Sequence, residues 1–129
     1  IGIGSMISQK LNLPFVYVRS KPKEHGRKNQ IEGYLGKKNK VLVIEDLIST
    51  GKSSTNVVKC LQNNNSNVIG IVSIFDYKFD VSKKNFDKVN ISSRHLTNFE
   101  YLIEYSLKNN YLNQEDITKI VNWKKNMIN

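Results

Sequence analysis

Val41-Leu42-Val43-Ile44-Glu45-Asp46-Leu47-Ile48-Ser49-Thr50-Gly51-Lys52-Ser53 is the stretch on which the fold turns. A continuous apolar run at 41–45 predicts a buried strand, since a strand covered on both faces does not alternate apolar with polar. The run delivers two adjacent carboxylates, Glu45 and Asp46, to its tip. A turn of small hydroxylic residues with Gly51 follows, and a helix is expected from about 53 to 63 with Val57, Val58 and Leu61 inward. Backbone N–H groups and the helix dipole at such a turn attract an anion, phosphate above all. Carboxylates suit sugar hydroxyls or a metal instead. Side by side, the two halves describe a site for a phosphorylated sugar. For a single Asp, capping of the helix start would be the simpler reading.

Outward from this stretch the pattern repeats. Residues 68–75 (VIGIVSIF) read as a further buried strand after the Asn-rich tract 63–67. A short helix is expected at 82–88, a strand at Val89 to Ile91, and two amphipathic helices at about 97–108 and 114–126, with Trp123 packing the last one down. Phe99, Tyr101, Leu102 and Tyr105 read as packing residues, Cys60 as a small core residue, and His95 as a turn residue without a role. Upstream, residues 2–12 carry Ile3, Met6, Ile7 and Leu11 at helical spacing, closed by Pro14. Phe15-Val16-Tyr17-Val18 reads as another buried strand. Residues 19–40 are basic and punctuated by Gly26, Gly33 and Gly36, a long loop with a brief strand at Ile31 to Leu35. Strands alternating with helices predict an α/β fold with a parallel sheet flanked by helices. In such sheets ligands bind beyond the carboxyl ends of the strands, where the basic loop and the acidic turn both fall.

Composition bounds the function. The chain has 129 residues, the length of one domain, and a formal charge of +9. Between Arg19 and Lys40 lie eight basic residues against two acidic ones, so most of the excess sits on one stretch and suggests a local anionic ligand rather than a nucleic acid. Much of the Lys, Asn and Ile content is what AT-rich codons supply. No apolar run reaches the roughly 18 residues of a membrane span. The N-terminus has no basic leader or cleavage site, so no signal peptide is expected. Cys60 is the only cysteine, which excludes a disulfide framework and a cysteine metal cluster, and a reducing cytoplasm is the expected home. The chain opens on Ile1, not Met, so it is expected to be a fragment whose N-terminal part is missing, and poorly soluble or inactive alone.

Gly51-Lys52-Ser53 is a false lead toward a nucleotide-binding P-loop. That motif needs a glycine five residues earlier, and position 46 is Asp.

Residues 41–54 resemble the phosphoribosyl-pyrophosphate signature of the type I phosphoribosyltransferases. Tyr17-Val18-Arg19-Ser20-Lys21-Pro22-Lys23-Glu24-His25-Gly26, with Asn29-Gln30-Ile31-Glu32-Gly33 after it, is similar to the flexible catalytic loop of the orotate phosphoribosyltransferases. The stretch from Tyr111 to Trp123 resembles one bacterial branch of that family. The likeness spans the whole chain, which corresponds to about the last three-fifths of a family member.

The resemblance implies one incomplete core domain over 1–129 with a basic catalytic loop at 19–40. It implies transfer of ribose 5-phosphate from phosphoribosyl pyrophosphate to N1 of orotate, a step of pyrimidine (UMP) biosynthesis that needs Mg²⁺, held mainly by substrate and water with no direct protein ligand. Arg19, Lys23 and His25 would meet the departing pyrophosphate, with Lys21 beside them. Glu45 and Asp46 would hold the ribose hydroxyls and face the developing cation, so Arg19, Lys23, His25 and Asp46 form the expected catalytic set. Leu47, Ile48, Ser49, Thr50, Gly51, Lys52 and Ser53 would complete the donor site around the 5′-phosphate. Ser49 and Tyr77 are the expected orotate contacts. Some members carry an arginine for the orotate carboxylate where this chain has Tyr77, followed by Lys78. The family further implies a cytoplasmic homodimer whose loop completes the partner's site, with no nucleic-acid or membrane partner. Rival readings are a purine phosphoribosyltransferase, a non-catalytic phosphoribosyl-pyrophosphate sensor, and a decaying gene product that has lost its front.

Overall fold

The computed structural model describes residues 1–20, 30–36 and 39–127. Helix α1 (Gly2–Leu11) is closed by Asn12 in the left-handed conformation. Strands β1 (Tyr17–Val18) and β2 (Ile31–Glu32) follow, then β3 (Lys40–Ile48), α2 (Lys52–Asn63) and β4 (Asn67–Asp76). The chain continues with α3 (Asp80–Asp87), β5 (Ser93–Asn98), α4 (Phe99–Lys108) and α5 (Gln114–Asn126).

β3, β4 and β5 form a parallel sheet in that order, flanked by helices, which is the expected α/β class. Parallel neighbours require crossovers, and α2 and α3 provide them. Between Val41 and Leu42 the β3–β4 register slips: Val41 faces Val68 but Leu42 faces Gly70, so Ile69 is one residue more than its partner strand holds. Burial along β4 records the slip, with Val68 inward before it and Ile71 and Ser73 inward after it.

The core lies where α2 and α3 cover the sheet. Val43, Ile48, Val58, Leu61, Val68, Ile71, Phe86 and Val89 form it, with Val57 half-buried at its margin. Ser54, Thr55, Val58 and Leu61 give α2 one buried stripe at helical spacing. Burying each of Val58 and Leu61 is worth about 1.5–3 kcal/mol. A second cluster joins the sheet to the C-terminal helices: the Tyr77 ring stacks on Phe79 at 5.4 Å and lies 6.2 Å from both Phe99 and Trp123. Lys124 sits 4.4 Å over the Phe99 ring, and its Nζ donates to Glu100 Oε1 at 3.4 Å.

Five expectations need correction. Phe15–Val18 is no strand of the parallel sheet: β1 holds two half-buried residues and pairs antiparallel with β2. The Phe15 ring is taken up against α1, within 2.9 Å of where a Cβ on Gly4 would sit. The strand expected at Val89 to Ile91 lies later, at Ser93–Asn98. Val89 and Ile91 instead end α3, both amides donating to the Phe86 carbonyl at 3.1 Å. Of the expected packing residues on α4 only Phe99 is buried; Tyr101, Leu102 and Tyr105 are exposed, and Trp123 keeps an exposed edge. His95 belongs to β5, not to a turn, and it has partners. Cys60 is half-buried.

Candidate functional site

β3 continues through the acidic pair to Ile48, so Glu45 and Asp46 lie within the strand rather than at its tip. Adjacent strand residues point to opposite faces. Glu45 is accordingly half-buried, and its Oε1 accepts a hydrogen bond from Ser54 Oγ at 2.7 Å. Asp46 is exposed, and its Oδ1 accepts from the Leu47 amide at 2.7 Å. Leu47 is exposed, whereas Ile48 is 1% exposed and can meet a ligand only through its backbone.

The turn 49–51 leads into α2, with Gly51 as the N-cap at φ 69°. A side chain would be strained there, and the space is already filled: a Cβ would lie 2.8 Å from Phe86 Cζ. The Thr55 amide and hydroxyl both donate to the Gly51 carbonyl, at 2.9 and 2.7 Å. That turns the Thr55 hydroxyl inward, away from any ligand. The N–H groups of Lys52, Ser53 and Ser54 have no acceptor within the helix, because the first turn never does. α2 has no acidic residue in its first turn, and Lys52 and Ser53 are exposed beside it, as is Thr50. Ser49 is half-buried. The result is a positive helix end next to the two carboxylates.

Arg19 stands at the foot of the basic loop. Its amide donates to the Gln30 carbonyl and its carbonyl accepts from Gln30 Nε2, each at 2.8 Å, while its guanidinium lies 3.7 Å from Glu32. Lys21, Lys23 and His25 lie outside the described residues. Tyr77 is tied to the same strand ends, its amide donating to the Ile48 carbonyl at 2.9 Å. Its ring meets Phe75 edge-on at 5.2 Å and stacks on Phe79, within the same cluster as Phe99 and Trp123.

Two features escaped the sequence reading. Ser54, 3% exposed, orients Glu45 from nine residues away. At the carboxyl end of β4, buried Asp76 accepts from the Lys78 amide at 2.7 Å and lies 3.6 Å from His95 Nδ1. His95 Nε2 is in turn 3.2 Å from Asn98 Nδ2. An apolar strand ending in Asp is visible in sequence; its pairing with a histidine from a polar strand is not.

This arrangement can be set beside known proteins. Residues 1–110 match the family described as phosphoribosyl transferase domain. The chain belongs to that family. Among phosphoribosyltransferases it is similar to the orotate phosphoribosyltransferase of Listeria innocua, 51% identical over 120 residues, which covers 93% of this chain and 57% of that protein. It is also similar to the orotate phosphoribosyltransferase of Phocaeicola vulgatus, 46% identical over 122 residues, covering 95% and 58%. The chain therefore spans a little under three-fifths of the length of these relatives. In backbone it is similar to the UMP synthase of Leishmania donovani, with a TM-score of 0.78 at 24% identity, covering 98% of this chain and 27% of that one, a likeness of fold. Among the described residues no helix is long and apolar enough to cross a membrane.

Proposed function

We propose that the chain is the core of an orotate phosphoribosyltransferase. Orotate and phosphoribosyl pyrophosphate would give orotidine 5′-monophosphate and pyrophosphate. The bond from C1′ to the pyrophosphate oxygen breaks, the bond from C1′ to N1 of orotate forms, and the N1 proton is released. The observation that carries this reading is the pairing of the Glu45–Asp46 carboxylates with the positive end of α2, in a chain about half identical to curated orotate enzymes.

As the leaving bond stretches, positive charge grows on the ribose and negative charge on the pyrophosphate. Glu45 and Asp46 hold the ribose hydroxyls and face the first. Arg19, Lys21, Lys23 and His25 face the second, as the loop motif implies. Ser49, Thr50, Gly51, Lys52 and Ser53 receive the 5′-phosphate, with Leu47 and Ile48 contributing backbone. Ser49 and Tyr77 border the base. Mg²⁺ bound to the pyrophosphate would neutralise part of its charge. Asp46, an exposed hard oxygen donor, suits the water shell of such an ion.

The reading also takes 1–129 as one core domain with 19–40 as its catalytic loop, in a cytoplasmic homodimer whose loop reaches the partner's site. A closing loop excludes the water that would capture a cationic ribose. The test, made with the N-terminal part of the relatives restored, follows the loss of orotate absorbance with Mg²⁺ and phosphoribosyl pyrophosphate. Turnover is expected. Binding of the donor with turnover of a purine base instead would overturn the choice of base, and binding with no turnover of any base would point to a sensor.

A further inference from the structure

Asn85 on α3 reaches across 35 residues of sequence to the phosphate turn, its Nδ2 donating to the Thr50 carbonyl at 2.9 Å. Its Oδ1 lies 3.4 Å from Lys88 Nζ, which can only donate. Both neighbours therefore demand the same orientation of the amide. The bond has a directional consequence. In a trans peptide the C=O and the following N–H point to opposite sides. Holding the Thr50 oxygen toward α3 aims the Gly51 N–H away from α3.

That aim matters because Gly51 is the residue least able to keep it. A peptide flip changes ψ of residue 50 and φ of residue 51, and glycine accepts either sign of φ at little cost. The flipped peptide would turn the Thr50 carbonyl oxygen toward the ligand and repel a phosphate. α3 is a firm anchor against this, since Phe86 and Ser82 Cα pack flush on the Gly51 backbone, at 2.8 and 3.3 Å from where a Cβ would stand.

We propose that Asn85 is a positioning residue for the donor's 5′-phosphate: it locks the Thr50–Gly51 peptide so that the Gly51 N–H faces the anion. The inference rests on the proposed function. Asn85 is half-buried and touches no substrate, so its replacement should spare the fold.

The test compares Asn85→Ala, Asn85→Asp and Asn85→Gln with the unsubstituted protein. It reads calorimetric affinity for ribose 5-phosphate, KM for phosphoribosyl pyrophosphate and for orotate, the amide shift of Gly51 on adding ribose 5-phosphate, and Tm. One neutral hydrogen bond predicts a loss of about 3–10-fold in donor KM and ribose 5-phosphate affinity for Asn85→Ala, with orotate KM unchanged. The Gly51 amide shift should vanish in that variant while Tm stays close to the parent's. Asn85→Asp, which cannot donate and adds charge, should lose more. Asn85→Gln keeps a donor and should recover most of the affinity. Unchanged donor affinity in Asn85→Ala, or an equal rise in both KM values alongside a lower Tm, would overturn the inference and leave the enzyme reading standing. A parent protein that binds no donor at all would overturn both.

Discussion

Ser54 Oγ donates to Glu45 Oε1 at 2.7 Å, joining the first buried turn of α2 to the strand that carries the acidic pair. The serine is 3% exposed, so the bond is shielded from water. It occupies one carboxylate oxygen and leaves the other for a ligand hydroxyl. The strand supplies the charge and the helix sets its direction, so the phosphate end and the sugar end of the site share one rigid unit.

Ser54→Ala should cost about 1–3 kcal/mol of stability, because it leaves a part-buried carboxylate short of a donor. Donor affinity should fall about 3–10-fold as the carboxylate loses its fixed rotamer. A double-mutant cycle with Glu45→Gln, read by denaturant unfolding and donor titration, should show coupling of about 1 kcal/mol. Additive effects would mean that the bond carries neither.

Gly51→Ala should be far worse than an ordinary glycine replacement. The φ of 69° strains the new residue and Phe86 already occupies its space. A loss of about 2–4 kcal/mol is expected in thermal or chemical unfolding. Trimming the ring with Phe86→Leu should relieve the clash and not the backbone strain, so the double variant should recover only part.

Asp46→Asn should weaken donor binding and turnover together, by about 10-fold or more each, since the exposed carboxylate meets the ribose in both ground and transition states. Wild-type rates would remove Asp46 from the ribose site.

Lys23→Ala should cut kcat by about 10²-fold or more with a much smaller change in donor KM, because its charge counts most as pyrophosphate departs. Equal loss in both constants would argue against a transition-state role.

Burial pushes the Cys60 thiol above its ordinary pKa. The native state therefore holds its proton to higher pH than the unfolded chain does. The stability this adds is complete below the unfolded thiol's pKa and is lost as pH rises through the folded value. Unfolding free energy measured across that alkaline range should fall more steeply for the parent than for Cys60→Ala. Alkylation of the native thiol near neutral pH should be slower than that of the unfolded chain.

The centre of the fold was legible because β3 and β4 carry continuous apolar runs, and β3 is followed by small residues and Gly51 where the chain must turn; one face of these strands packs in the core, while Leu42, Ile69 and Ile74 stay partly exposed. β5 was not legible for the opposite reason. Ser93-Arg94-His95-Leu96-Thr97-Asn98 is paired along one edge only and alternates half-buried with exposed, so it carries no apolar run. The apolar residues just before it, Val89 and Ile91, close a helix. Phe15–Val18 looked like a core strand, but one of its aromatic residues serves α1 and its last two form a short ribbon. Within the site, the residue types and their order could be read. The partners could not, because Ser54–Glu45 and Asn85–Thr50 depend on how α2 and α3 settle on the sheet.

The slip at Ile69 works as a phase shifter along β4. Ahead of it the even-numbered Val68 faces the core; beyond it the odd-numbered Ile71 and Ser73 do, and Ser73 comes level with Glu45. Removing one residue there would invert the second half of the strand, sending Ile71 and Ser73 outward and Val72 and Ile74 inward. Yet Ile69 itself is 53% exposed, so its side chain is under little constraint from packing. Substitution at this position should therefore be tolerated where its deletion is not.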